Sequence, residues 1–200
     1  MSAACRHATA ADLPFIVESL IAGFAHDPLY AWLYPDPTIR PSRLRETFEL
    51  VTGAALQRGH LYTNRDRTAA ATWTPPDVAL LDDADEREFL DMISRHIGDR
   101  REDVVAGMSS LAGHATTAPH FTLHNVAVRA DAQGRGVGSE LLEPVLSRCD
   151  EDGIQVHLDS SNARNVRFYE RLGFAVVAEV TVPGGGPVMR AMTRQPVPQR

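Results

Sequence analysis

The fold is decided by the stretch Gln133-Gly134-Arg135-Gly136-Val137-Gly138-Ser139. An apolar strand pattern over residues 121–128 precedes it, and apolar residues at helical spacing from 137 to 146 follow it. The glycines leave the backbone N–H groups of the loop unobstructed at the positive end of the helix dipole, where an anion is stabilised. The unit is therefore predicted to be a strand, a phosphate-binding loop and a helix.

The spacing of these glycines excludes the two commonest nucleotide-binding loops. A dinucleotide fingerprint requires a third small residue, glycine or alanine, three positions after its second glycine, and counting from either glycine pair reaches Ser139 or Leu141 instead. A Walker loop requires a lysine, and all 20 basic residues of this chain are arginines. The loop is therefore expected to bind the pyrophosphate of a different carrier.

Strand and helix patterns alternate along the rest of the chain, as is typical of an α/β protein. The predicted elements, in order, are a strand at 5–8, helices at 13–24 and 44–55, a hairpin at 60–64 and 68–73, one or two helices within 80–112 that cover a sheet face, a strand at 154–159, a helix at 162–172 and strands at 174–182 and 187–193. Residues 25–41 contain four prolines and are predicted to form a loop.

The composition is that of one ordinary globular domain. Apolar residues make up 44% and charged residues 23% of the 200 residues, so we expect a single domain over 1–200. The net charge of −6 argues against a nucleic-acid partner, and no apolar run approaches the ~20 residues that span a membrane. The run from Leu13 to Ala25 contains Glu18 and lacks a basic leader, so we expect a cytoplasmic protein.

Two motifs in sequence order make the chain resemble the GNAT superfamily of N-acetyltransferases. Gln133, Gly136 and Gly138 fit its phosphate-binding signature, in which Gln or Arg is followed by two residues, Gly, one residue and Gly or Ala. Further along, Asn162 follows the next predicted strand, and residues 168–174, Phe-Tyr-Glu-Arg-Leu-Gly-Phe, match the end of the family's next helix. The resemblance implies an α/β (α+β) fold with a mixed central sheet of about six to seven strands, flanked by helices and splayed between the fourth and fifth strands.

Within that superfamily the sequence looks similar to puromycin N-acetyltransferase and related small-molecule acetyltransferases. The stretches that carry this likeness are residues 73–76, 164–174 and 182–194. The predicted loop at 25–41, which would contact the acceptor, shows no comparable match. The likeness therefore does not imply puromycin itself as the acceptor.

The resemblance implies acetyl-CoA as the co-substrate and no metal. The pyrophosphate would contact the glycine loop, the pantetheine amides would pair with the preceding strand, and the N–H of Val126 would face the developing oxyanion. The resemblance also makes Tyr169 the general acid for the departing thiolate. The residues expected to bind acetyl-CoA are Val126, Val128, Gln133, Gly134, Arg135, Gly136, Val137, Gly138, Ser139 and Asn162.

Acetyl transfer also needs a base that removes a proton from the amine, and we favour His124. Strand alternation predicts that His124 shares a face with Thr122, Val126 and Val128, and its intrinsic pKa near ~6.5 suits proton removal at neutral pH. A histidine stands at the matching strand position in the similar arylalkylamine acetyltransferases. Asp159 and a water chain are the alternative bases, and His124 packed in the sheet without a catalytic role is a further alternative.

Acidic and aromatic residues are expected to form the acceptor site, because they could hold a cation or a ring. The expected acceptor residues are Asp27, Tyr30, Trp32, Trp73 and Asp159. We expect a primary amine of a small molecule as the acceptor, with neither nucleic acid nor a membrane as partner, and leave a homodimer open. The alternative functions are acetylation of a protein N-terminus or lysine, and a non-catalytic acyl-CoA-binding regulatory module.

Overall fold

Seven strands form one mixed β-sheet in the computed structural model, which describes residues 5–112 and 118–198 without the side chains of residues 99 and 108–112. The strands are β1 (Cys5–His7), β2 (Leu61–Asn64), β3 (Ala69–Thr74), β4 (His120–Val128), β5 (Gln155–Ser160), β6 (Ala175–Thr181) and β7 (Val188–Arg194). Their order across the sheet is β1-β2-β3-β4-β5-β7-β6. Among these described strands, β4 and β5 pair in parallel and the other neighbours are antiparallel. The predicted mixed sheet is confirmed.

The parallel strands β4 and β5 separate along their length. Their register runs from the pair His120 and Gln155 to the pair Thr122 and His157, although β4 continues to Val128. The later part of β4 therefore diverges from β5 and opens a gap in the middle of the sheet. This parallel pair fits the splay that was predicted between the fourth and fifth strands.

Seven described α-helices flank the sheet. They are α1 (Leu13–Phe24), α2 (Pro28–Leu33), α3 (Arg40–Gln57), α4 (Asp83–Ile97), α5 (Arg101–Ala112), α6 (Val137–Asp152) and α7 (Ala163–Glu170). The helix α2 corrects the prediction of one continuous loop over 25–41: Asp27 caps it and Pro28 occupies its first turn, where the missing proline N–H costs nothing. None of the described helices is long and apolar enough to cross a membrane.

Two hydrophobic clusters lie on opposite faces of the sheet. On one face Leu141 and Leu142 of α6 pack with buried residues that include Trp73, Leu123, Leu158 and Met192. On the other face α1 and α3 pack with Ala70 and Ala127. The region at 80–112 was predicted to cover a sheet face, but its first helix, α4, packs mainly on α3, to which it adds Met92 and Ile93. It therefore lies outside the helix layer that covers the sheet.

A β-bulge interrupts β4 where it pairs with β3. Leu123 lies opposite Trp73 and Asn125 lies opposite Thr72, which leaves His124 as an extra residue without a strand partner. An extra residue reverses the alternation of side chains for the part of the strand that follows it. Before the bulge the odd-numbered residues of β4 face α6, and after the bulge the even-numbered residues do.

This reversal corrects the predicted arrangement of side chains around His124. Val126 and Val128 pack with the cluster on the α6 face, whereas His124 hydrogen-bonds to Thr74 on the other face. Thr122, which pairs with Thr74, shares the face of His124 as predicted. The expectation that Val126 and Val128 also share it is wrong, because the bulge reverses the alternation of side chains after His124.

Candidate active site

A cavity of about 500 Å³ lies where the glycine loop meets the start of α6. Gly134 and Gly136 have φ angles of 73° and 82°, which lie in the left-handed region that favours glycine. Gly136 is the N-cap of α6, so the free N–H groups of the first helical turn face this cavity. Free N–H groups and the helix dipole together favour a bound anion.

Gly138 allows the start of α6 to approach its neighbours closely. A Cβ atom at this position would lie 3.3 Å from Cζ of Phe168 and 3.4 Å from Cγ2 of Val128. Both distances are tight for carbon atoms, so a larger side chain would push α6 away from α7 and β4. The glycine is therefore required by packing as well as by the anion-binding geometry.

The gap between β4 and β5 forms one side of the same cavity. The N–H of Arg129 donates to the carbonyl of Thr68 on the β3 side, 2.8 Å away. Because successive N–H groups of a strand point to opposite edges, those of Val126 and Val128 face the gap. Nε2 of Gln133 donates to the Val128 carbonyl at 2.9 Å, which ties the glycine loop to this edge.

A second cavity, of about 410 Å³, lies on the other side of the gap. Its described lining includes Asp27, Tyr30, His124 and Asp159 among polar residues, together with apolar side chains such as Phe24. Three residues line both cavities: Val126, Asn165 and Tyr169. The two cavities therefore meet at these three residues.

Asp27 is a buried carboxylate in the wall of the second cavity. Its Oδ1 accepts from the N–H of Leu29 at 2.9 Å, and its Oδ2 accepts from Oγ of Ser161 at 2.6 Å. Burial raises the pKa of Asp27, and these hydrogen bonds partly oppose the rise by stabilising the carboxylate. Asp27 thus connects α2 to the segment that follows β5.

His124 lies in the wall of the second cavity beside the bulge. Its Nε2 is 2.9 Å from Oγ1 of Thr74. The pKa of His124 is lowered to about 4, mainly by desolvation and also by the charge of His60, while the charge of Asp159 opposes the change. The side chain is exposed toward the cavity. His124 is therefore neutral at pH 7, as a base must be. Its pKa lies below the value near ~6.5 expected from the sequence, so it accepts a proton less readily than predicted.

Asp159 and His157 form a second pair of titratable groups in that wall. Oδ2 of Asp159 lies 3.4 Å from Nε2 of His157, and the ring of His157 meets the ring of His120 edge to face at 5.6 Å. His157 is buried, and its Nδ1 has no hydrogen-bond partner within the described part of the chain. The pair offers a carboxylate and an imidazole on the same face of β5.

Tyr169 lies on α7 where the two cavities meet, and it is buried. Burial raises the pKa of Tyr169, and the negative charge of Asp27 raises it further. The phenol therefore keeps its proton across the physiological pH range. It has the protonation state that a general acid requires.

A family model described as the acetyltransferase (GNAT) family matches residues 60–174, more than half of the chain. The chain belongs to this family. Like its N-acetyltransferase relatives, it is an acyl-CoA-dependent acyltransferase, and acetyl-CoA is the donor that GNAT proteins generally use. The resemblance inferred from the glycine loop and the Tyr169 motif is thus confirmed at the level of the superfamily.

The similar proteins include small-molecule and histone acetyltransferases. An uncharacterized N-acetyltransferase of Schizosaccharomyces pombe is 23% identical over 190 residues, which cover 86% of this chain and 74% of the relative. Mycothiol acetyltransferase of Corynebacterium aurimucosum is 30% identical over 129 residues, 58% of this chain and 42% of that protein. A solved structure described as "histone acetyltransferase HPA2 and related acetyltransferase", from Corynebacterium glutamicum, has a TM-score of 0.71 and 25% identity and covers 98% of this chain and 97% of that one. These matches do not confirm the narrower likeness to puromycin acetyltransferases.

Most of the residues predicted from the GNAT resemblance to bind the co-substrate line the first cavity. They are Val126, Val128, Gln133, Gly134, Gly136, Val137, Gly138 and Ser139. Arg135 is exposed on the loop and is not part of that lining. Asn162 instead caps α7, where its Oδ1 accepts from the N–H of Arg164 at 3.0 Å. Asn162 therefore serves as a helix cap, and its contact with acetyl-CoA stays a prediction.

Asn165 is a cavity residue that the sequence did not single out. It lies one helical turn before Tyr169, so the two side chains occupy neighbouring positions on one face of α7. The i, i+4 spacing from Tyr169 was the signal that could have identified it.

The two tryptophans predicted for the GNAT acceptor site lie elsewhere. Trp73 is 1% exposed and packs in the cluster beneath α6, which corrects the expectation that it contacts an acceptor. Nε1 of Trp32 donates to the carbonyl of Gly184 at 3.1 Å, and the guanidinium of Arg100 lies 5.1 Å from its ring centre. Trp32 therefore joins α2 to the β6–β7 turn and does not line the second cavity. Asp27, Tyr30 and Asp159 do line it.

Proposed function

We propose that the chain is an acetyl-CoA-dependent N-acetyltransferase that acts on a primary amine of a small molecule by direct transfer. The observation that carries this proposal is the meeting of two cavities at Val126, Asn165 and Tyr169. One cavity suits a pyrophosphate and pantetheine arm, and the other suits an amine. The thioester and the amine would then be neighbours without an acyl-enzyme intermediate.

Acetyl-CoA would bind with its pyrophosphate at the glycine loop. The free N–H groups at the start of α6 provide donors for phosphate oxygens, and the N–H groups of Val126 and Val128 provide donors along the gap. The pantetheine arm would thus occupy the space that β5 leaves beside β4. This arrangement supports acetyl-CoA as the donor.

The reaction forms a carbon–nitrogen bond and breaks a carbon–sulfur bond. The amine nitrogen attacks the thioester carbon, and the N–H of Val126 stabilises the negative charge on the carbonyl oxygen. A base removes the proton that the attacking nitrogen gives up, and Tyr169 donates a proton to the departing thiolate. We propose His124 as the base, with Asp159 as its alternative, because both line the acceptor cavity.

The acceptor cavity favours a cation. Asp27 and Asp159 contribute two carboxylates, and none of the described residues that line this cavity is an arginine. A protonated amine is therefore attracted before it loses its proton. The similarity to mycothiol acetyltransferase supports a small-molecule acceptor. A puromycin-type amine is one such acceptor and is part of this proposal.

A protein acceptor is the second candidate, and one observation favours it. The solved structure from Corynebacterium glutamicum, with a TM-score of 0.71, is described as a histone acetyltransferase and related acetyltransferase. A lysine or N-terminal amine of a protein would be the acceptor in that case. We also retain the predictions of a cytoplasmic location and of one domain over 1–200, and a homodimer stays open.

Release of free thiol from acetyl-CoA tests both candidates. The assay would compare aliphatic amines, aminoglycosides, amino-nucleosides, and peptides with a lysine or a free N-terminus. We expect release with at least one small amine and none with peptides. Turnover with peptides alone would favour a protein acceptor, and acetyl-CoA binding without release in any assay would favour a non-catalytic module.

A further inference from the structure

Asn165 occupies a distinctive position in the proposed active site. It is one of the three residues that line both cavities, together with Val126 and Tyr169. The other two have assigned tasks in the proposed reaction, at the carbonyl oxygen and at the sulfur. Asn165 shares this junction with them and would therefore lie close to a thioester bound there.

The side chain of Asn165 is available for a ligand. It is exposed, and within the described residues its amide makes no hydrogen bond. Its backbone N–H completes the first turn of α7 by donating to the carbonyl of Asn162 at 2.9 Å. The helix therefore holds the residue in place while its amide stays free.

We propose that Asn165 is a second oxyanion donor, whose Nδ2 donates to the thioester carbonyl oxygen opposite the N–H of Val126. This inference rests on the proposed function. An oxyanion has several lone pairs, and one backbone N–H satisfies only one of them. Side-chain amides commonly serve as oxyanion donors, and they stabilise the transition state more than the ground state.

The geometry of α7 gives the two side chains different tasks. Asn165 and Tyr169 are four residues apart, so their side chains are neighbours on one helix face. Tyr169 would protonate the sulfur, and Asn165 would contact the oxygen bonded to the same carbon. One rigid helix would thus hold both groups at the reacting thioester.

Three variants test the role of Asn165 in turnover. Asn165→Ala removes the amide, Asn165→Asp keeps its shape but replaces the donor with a carboxylate, and Glu170→Ala is a control on the same helix outside both cavities. We expect Asn165→Ala to lower kcat on the order of 10² to 10³, Asn165→Asp to lower it more, and Glu170→Ala to leave it unchanged.

The melting temperature separates this role from a structural one. Alanine forms helices better than asparagine, so Asn165→Ala should melt at or above the wild-type temperature. A kcat of Asn165→Ala within about threefold of the control would overturn the proposal. A rise in the acceptor KM with unchanged kcat would also overturn it, because that pattern indicates acceptor positioning.

Infrared spectroscopy gives a readout that does not need turnover. We expect the carbonyl stretch of ¹³C-acetyl-labelled acetyl-CoA to lie at lower frequency on the wild type than on Asn165→Ala, because the amide polarises the bond. If no amine is acetylated but this difference appears, the proposed function fails and the Asn165 contact stands. Equal frequencies overturn the contact even if the enzyme is active, and absence of acetyl-CoA binding overturns both.

Discussion

Nε2 of His124 lies 2.9 Å from Oγ1 of Thr74, across the β-bulge that places His124 outside the pairing of β3 and β4. The bulge directs the ring into the acceptor cavity, and the hydroxyl fixes its orientation. If Nε2 donates to Thr74, Nδ1 keeps a lone pair that can accept a proton. This arrangement suits a base that stays neutral until it takes the proton of the amine.

We predict that His124→Ala lowers turnover by ~10² to 10⁴, as is typical for loss of a general base. The loss should shrink at high pH, where the amine is already deprotonated. His26→Ala is the matched control, since His26 is exposed and lies outside the acceptor cavity. Full activity of His124→Ala at every pH, together with loss of activity in Asp159→Asn, would transfer the role to Asp159.

The lowered pKa of His124 also predicts how stability changes with pH. The folded pKa is about 4 and the unfolded value is near 6.5, so the unfolded chain binds more protons between these values. Stability from this group is therefore present above pH 6.5 and is lost as pH falls toward 4. Urea titrations should show a smaller drop in midpoint from pH 7 to pH 4.5 for His124→Gln than for the wild type. An equal drop would contradict the lowered pKa.

We predict that Asp27→Asn weakens the use of cationic acceptors without weakening the fold. Asparagine caps a helix about as well as aspartate, so α2 should remain capped while the cavity loses a negative charge. The acceptor kcat/KM should fall on the order of 10- to 100-fold, since a hydrogen bond to a charged group is worth ~1.5–3 kcal/mol.

Asp36→Asn provides the matched control for Asp27→Asn. Asp36 lies between α2 and α3, accepts from the N–H of Thr38 at 2.8 Å, and is exposed outside the cavity. Its substitution should leave kcat/KM unchanged. Equal effects of the two substitutions would mean that the acceptor does not contact Asp27.

The first turn of α6 gives a test of acetyl-CoA binding. Valine at Gly138 would collide with Phe168, so a charge at Ser139 is the cleaner change. We predict that Ser139→Asp stabilises the helix start through the dipole but repels the pyrophosphate. At one hundred times the wild-type Kd, acetyl-CoA should stabilise the wild type by ~2.7 kcal/mol, and its melting shift should largely disappear in Ser139→Asp.

Ser139→Asn separates charge from shape at the same position. Asparagine resembles aspartate in size but is neutral, so its melting shift should stay close to that of the wild type. A full shift in Ser139→Asp would place the pyrophosphate away from this helix start. A shift with NAD and none with acetyl-CoA would contradict the choice of donor.

The sequence predicted the parts of the site that depend on local structure. The glycine loop and α6 form one continuous segment, so glycine spacing and helix periodicity were sufficient to place them. The Tyr169 motif was identified in the same way. These elements hold the co-substrate cavity and its junction with the acceptor cavity.

The parts that were missed depend on pairing between distant segments. The bulge at His124 exists only where β4 meets β3, so counting along one strand could not reveal the reversal after it. From the sequence alone Trp73 could be an aromatic residue that contacts a ligand, and only its packing beneath α6 shows that it is buried. The helix α2 is a local element that was missed because residues 25–41 contain four prolines, although Asp27 followed by Pro28 is an ordinary helix start.

Tyr169 has the position and the protonation state of an acid for the departing thiolate. It lines both cavities, and burial together with the charge of Asp27 raises its pKa. A thiol is already a good leaving group, with an intrinsic pKa near ~8.5 against ~10 for tyrosine. Protonation should therefore assist departure of the thiolate without being indispensable.

We predict that Tyr169→Phe binds acetyl-CoA almost normally, because only one oxygen is lost and the glycine loop is unchanged. Its kcat should fall more than its KM changes, as is expected for an interaction formed mainly in the transition state. Tyr62→Phe, on β2 and outside both cavities, is the control for loss of a phenol oxygen. The decisive measurement is single-turnover kinetics, in which chemistry limits the rate. A Tyr169→Phe rate within about twofold of the wild type would mean that the ring only packs α7 against the sheet.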